Sequence, residues 1–120
     1  MLIVWIAIFG ALGTVARYGI SRTIPAFGEF PWATLLVNLL GSFCIGWVAG
    51  PSLSGGAALS QKSVVAMVGF LGGFTTFSAF SFETVRLFSQ GRAVTALVYA
   101  AATPVLCIGL AAAGSFASSR

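Results

Sequence analysis

Four apolar stretches, each close to the length needed to cross a bilayer, occupy most of these 120 residues. A transmembrane helix takes about 20 consecutive apolar residues. The stretches run from about Leu2 to Ile20, Phe30 to Gly50, Ser63 to Ser89 and Ala93 to Ala117. Only 7% of the residues are charged, against 58% hydrophobic. Soluble domains carry roughly 25% charged residues, and so few charges cannot cover a water-facing surface. The expected fold class is an all-α integral membrane protein with four transmembrane helices in a single domain, residues 1–120. The first charge is Arg17, so no basic region precedes the first stretch. That stretch reads as a retained span rather than a cleaved signal peptide.

Charge also excludes several functions. The net charge of +4 is scattered, with no basic run, which argues against nucleic acid as a partner. There is no histidine, and Glu29 and Glu83 are the two acids. No nucleophile–base pair or ligand set is visible, so the chain does not read as an enzyme. Cys44 and Cys107 lie in apolar segments without CxxC spacing and read as small apolar core residues.

The connections are short: Thr23 to Glu29 with Pro25 and Gly28, Pro51 to Gln61 with Gly55-Gly56, and the tight turn Gln90-Gly91-Arg92. With four spans, one side of the membrane holds Lys62 and Arg120. The other holds Arg22 and Arg92, plus Arg86 if it lies near a span end. This near balance gives no strong orientation signal. It fits either a weak bias in a small sample or insertion both ways as an antiparallel dimer. Four short spans enclose little pore alone. Gly10, Gly13 and Thr14, and Gly41, Ser42 and Gly46, suit close helix contacts. A homo-oligomer is expected.

The third stretch is the unusual one. Roughly 27 residues of helix reach about 40 Å, against a hydrocarbon core of about 30 Å. Tilt absorbs the excess, or a break does. Gly72-Gly73 followed by Thr75-Thr76 is the plausible break, because glycine and threonine are weak helix formers. A break frees backbone groups that then need protein, water or ions as partners.

Several polar and aromatic residues admit two readings. Asn38, in mid-span, makes an interhelical hydrogen bond or donates to an anion; taken alone, the hydrogen bond is favoured. Phe74, Phe77 and Phe80 recur every three residues, as a packing stripe or as ring edges whose positive rim faces a small anion. Thr75, Thr76, Ser78, Ser81 and Thr84 bond back to their own helix or line a pathway. Glu83 and Arg86 are spaced to pair. Arg17 faces a vestibule or snorkels to headgroups. Tyr99, Thr103 and Cys107 share a face of the fourth span, with Pro104 beside them.

Three motifs run through these spans. The first is Gly10-Ala11-Leu12-Gly13 leading to Ala16-Arg17-Tyr18. The second is Thr34 with Val37-Asn38, then Gly41-Ser42-Phe43 and Gly46. The third is Gly69-Phe70-Leu71-Gly72-Gly73-Phe74-Thr75-Thr76-Phe77-Ser78 through Glu83. Together they resemble the CrcB/Fluc fluoride channel family over nearly the whole chain. The resemblance implies an antiparallel dual-topology homodimer with two fluoride pores in the lipid of a bacterial inner membrane. It implies a structural sodium ion, Na+, on the two-fold axis, held by the backbone carbonyls of Gly72 and Thr75 at the break in the third span. Phe77 and Phe80 match the pore phenylalanines and Asn38 the pore asparagine. Thr34, Tyr99 and Thr103 match the polar track, beside the Thr76 and Ser78 hydroxyls of the third motif. Glu83 matches an acid late in the third span and Arg17 the vestibule arginine. Cys107 departs from the pattern, standing where a small hydroxyl residue is expected.

The implied activity is passive export of fluoride, which protects the cell. Two rivals remain at this point. A small multidrug exporter resembles its relatives in carrying an acid in its first span, and here no acid precedes Glu29. A non-transporting membrane subunit explains the small residues but not the combination of phenylalanine, hydroxyl and asparagine.

Overall fold

In lipid the backbone has no water to bond, so each apolar stretch closes its own hydrogen bonds as a helix. The computed structural model describes residues 1–25 and 29–120, among which there is no strand. The expected turn residue Gly28 lies outside them. Helix α1 covers Leu2–Thr23 and α2 covers Trp32–Gly55. The third span is composite. A short α3, Gln61–Val64, passes into π-helical Val65–Leu71 and then α4, Gly72–Phe74. After Thr75 and Thr76, α5 covers Phe77–Ser89. Helix α6 covers Ala93–Ser118. Four segments are therefore long and apolar enough to cross a membrane: Leu2–Thr23, Trp32–Gly55, Gln61–Ser89 and Ala93–Ser118.

The ends follow local chemistry. Helix α1 runs past Ile20 and stops ahead of Pro25, where Ile24 turns extended at φ −82° and ψ 117°; a residue before proline avoids the helical region. Helix α2 departs more from expectation. Pro51 was expected to open a loop, yet it sits inside the helix, which continues to Gly55. Proline removes one ladder bond, and the helix keeps the rest of its ladder by running on. The stop is Gly56, in left-handed conformation at φ 66°, the geometry of a glycine after a helix end. At the third span's start, Ser60 Oγ accepts from the Ser63 amide at 3.1 Å, an N-cap.

Close backbone contact organises the bundle in two layers. Helix α1 lies on the first half of the third span, where a Cβ on Gly13 would collide with the Phe70 carbonyl and one on Gly73 with the Gly10 carbonyl. Helices α2 and α6 run together, Gly46 against the Ala111 carbonyl and Gly114 against the Phe43 carbonyl. Without a hydrophobic force between helices in lipid, such small-residue contacts gather dispersion energy instead. Phe80, Leu87, Ala96 and Tyr99 form the buried core where α5 meets α6. Large apolar side chains such as Ile3, Val15, Val94 and Ile108 point outward, as an apolar solvent permits.

The loop ends gather at one face of the bundle. Arg92 Nε lies 3.1 Å from Glu29 Oε2, tying the α1–α2 connection to the α5–α6 turn. That turn uses Gly91 at φ 74°. Cys44 corrects the expectation of a core residue: it is exposed on α2, and both thiols are free. A thiol facing lipid is as comfortable as one in a core, which is why composition could not separate the two.

Candidate functional site

The third span bends at two residues of extended backbone, Thr75 (φ −86°, ψ 157°) and Thr76 (φ −150°, ψ 118°). Three donors that a continuous helix would use on its own carbonyls are redirected or replaced here. The Thr76 amide, which would bond the Gly72 carbonyl, donates instead to Asn38 Oδ1 at 2.8 Å. The Ala79 amide, which would bond the Thr75 carbonyl, donates to Thr76 Oγ1 at 3.1 Å and starts α5. The Gly73 carbonyl accepts from Arg17 Nε at 3.1 Å. Asn38 completes its bridge by donating Nδ2 to the Thr76 carbonyl at 3.1 Å. Asn38 thus gives the Thr76 amide the acceptor it lacks and adds a second donor to the Thr76 carbonyl, which as N-cap already takes the first bond of α5.

The Gly72 and Thr75 carbonyls are two of those that lose their helical donors at the bend. Hard, neutral oxygens freed in this way suit a hard monovalent cation, so the residues present fit the sodium ion that the sequence resemblance implies.

Below the bend, Glu83 anchors a cluster of hydroxyls. Thr34 Oγ1 donates to Oε1 at 2.6 Å and Tyr99 OH donates to Oε2 at 2.9 Å. Hydroxyl bonds to a carboxylate are short and worth about 1.5–3 kcal/mol each. The Glu83–Arg86 pair expected from helical spacing is replaced by these two long-range donors, and Arg86 is exposed on the neighbouring face. The Tyr99 ring packs at 5.0 Å from Phe80 and edge-on at 5.4 Å from Phe30.

Three cavities follow one another along this column. An outer one of about 330 Å³ is lined by Glu29, Thr34, Glu83 and Arg86. A smaller one of about 200 Å³ carries Arg17, Thr34, Thr76 and Glu83. A third, of about 370 Å³, holds Asn38, Ser42, Thr76, Phe77, Phe80, Thr103 and Cys107. In the third the Thr103 hydroxyl is buried and has no hydrogen-bond partner. Asn38 Nδ2 carries two N–H groups, and a single bond from it is recorded, to the Thr76 carbonyl. The cavity therefore offers neutral donors and no fixed charge.

The two phenylalanines are unlike. Their ring centroids lie 5.5 Å apart, yet Phe80 is 8% exposed and Phe77 is 76% exposed. Phe74 leaves the expected stripe altogether, because the bend intervenes; it stacks on Phe70 at 5.7 Å. Thr75, Ser81 and Thr84 bond back to the carbonyls of Leu71, Phe77 and Phe80, the ordinary habit of hydroxyls in a span. Ser78 is exposed, its Oγ 3.3 Å from Thr76 Oγ1, and lines none of the three cavities. Ser42, expected among the helix-contact residues, also lines the inner cavity. Its spacing of four from Asn38 on α2, one helical turn, was the signal available.

The comparisons agree with the family resemblance. Residues 4–115 match the family described as CrcB-like protein, Camphor Resistance (CrcB). A protein of Acidithiobacillus ferrooxidans named fluoride-specific ion channel FluC is 42% identical over 116 residues, covering 95% of this chain and 93% of that one. A protein of Geobacter metallireducens with the same name is 44% identical over 108 residues, covering 88% of this chain and 87% of that one. The match begins near the start of α1, takes in the bend and its Asn38 bridge, and ends in α6; this chain, a multi-pass membrane protein, belongs to the CrcB-like family.

Proposed function

We propose that the chain is a passive, fluoride-selective channel that works as an antiparallel homodimer in the bacterial inner membrane. The observation that carries this is the inner cavity, where the buried, unpartnered Thr103 hydroxyl and the Asn38 amide meet the rings of Phe77 and Phe80. A small anion entering there exchanges water for neutral hydrogen-bond donors and positive ring edges. No charged side chain lines that cavity, so it binds without being trapped by one, as conduction demands. Fluoride is favoured by its small size and strong hydrogen-bond acceptance. The column of Arg17, Thr34 and Glu83 leads to the cavity, and Ser78 stands outside it beside Thr76. The largely exposed Phe77 leaves one wall open, which a second copy closes.

The bend at Thr75-Thr76 is the break of the third span in this reading. The Gly72 and Thr75 carbonyls of each copy hold a structural sodium, which supplies a positive charge that ties the two chains together. Nothing is transformed chemically. Fluoride leaves a negative-inside cell down a gradient worth about 2.3 kcal/mol per charge per 100 mV. Purified protein in liposomes tests the reading: a fluoride electrode records rapid efflux, with chloride retained in parallel vesicles. Equal release of both ions, or of neither, rejects it.

A further inference from the structure

Cys107 carries the one thiol among the residues that line the inner cavity. It is half-buried on α6, one helical turn beyond Thr103, and the two line the same cavity of about 370 Å³. Thr103 is 5% exposed and its hydroxyl has no partner. The cavity thus has room and an unmet polar group next to the thiol. Cys44, the other free cysteine, lines a separate apolar groove between α1, α2 and the start of the third span.

We infer that Cys107 is a modification site through which a small thiophilic reagent closes the cavity, an organomercury compound being the chemical class. In the reaction a mercury–sulfur bond forms and the mercury–chloride bond breaks. The thiol proton and the chloride leave to water, and no redox change occurs. The attached group then stands among Asn38, Phe77, Phe80 and Thr103, in the space proposed for the anion. Nothing in the position of Cys44 puts its adduct there.

The inference rests on the channel reading, so two readouts are taken from the same liposomes. Methylmercury chloride, which crosses lipid, is the probe. Intact mass reports adducts, and a fluoride electrode reports efflux relative to each protein's own untreated rate. The expected result is an adduct on Cys107 and at least about tenfold slower efflux in the wild type and Cys44→Ser, reversed by dithiothreitol, with no slowing in Cys107→Ser. Equal slowing in Cys107→Ser, protection by Cys44→Ser instead, an adduct on Cys107 with unchanged efflux, or a Cys107 that takes no label would each overturn it. Failure of the channel reading looks different: untreated vesicles release no fluoride, while mass still reports whether Cys107 reacts.

Discussion

Asn38 and Thr76 exchange two hydrogen bonds, Nδ2 to the Thr76 carbonyl at 3.1 Å and the Thr76 amide to Oδ1 at 2.8 Å. A side chain on α2 thereby completes the backbone of the third span where that span cannot complete itself. Leaving the Thr76 amide unmet at this depth costs about 1–3 kcal/mol, while the Thr76 carbonyl keeps the first bond of α5. Asn38→Ala is therefore expected to lower stability by about 1–3 kcal/mol, read as an earlier unfolding midpoint in detergent, and to slow fluoride efflux. Unchanged stability would mean that the bend is held by something else.

The glycines give a paired test. A methyl at position 13 meets the Phe70 carbonyl, a backbone atom that cannot swing away, whereas position 19 has nothing within 4 Å. Gly13→Ala should cost about 1–3 kcal/mol by overpacking. Gly19→Ala should be neutral or stabilising by up to about 1 kcal/mol through helix propensity. Unfolding midpoints of the two variants, measured side by side, check the order.

Phe77 and Phe80 separate packing from permeation. Phe80 sits against Tyr99 in the core, while Phe77 is mostly exposed. Phe80→Ile should cost about 1–2 kcal/mol of stability and Phe77→Ile under about 0.5 kcal/mol. Both should slow fluoride efflux sharply. A fast Phe77→Ile channel would remove that ring from the pathway.

Sodium is tested by removal. Prolonged exchange of sodium for a bulky organic cation should weaken the dimer and depress efflux, because the Gly72 and Thr75 carbonyls would face one another uncompensated. Size-exclusion mobility and efflux, measured before and after sodium is restored, report both. Indifference of both to exchange argues against the cation.

The four helices were legible because lipid imposes one simple demand on the backbone, and long apolar runs answer it. Glycines beside threonines mark Gly72–Thr76 as a stretch of low helix propensity; the span bends at Thr75 and Thr76, while Gly72 and Gly73 stay helical. What local reasoning missed were partners distant in sequence. Spacing suggested Arg86 for Glu83, but Thr34 and Tyr99, 49 and 16 residues away, supply the donors. Arg17 lines a cavity beside Thr34 and Glu83, and its Nε bonds the Gly73 carbonyl, 56 residues on, a partner that spacing does not suggest. The connection expected from Pro51 to Gln61 begins later, because the helix runs through Pro51 to Gly55.

The most direct test is Thr103→Val, which removes the unpartnered hydroxyl while keeping the side chain's shape. Since no protein hydrogen bond is lost, stability should hold or rise by about 1 kcal/mol. The account predicts that fluoride efflux from liposomes nonetheless falls severalfold below that of the wild type, the hydroxyl having served the ion rather than the fold. Wild-type efflux from a fully stable Thr103→Val channel would contradict it.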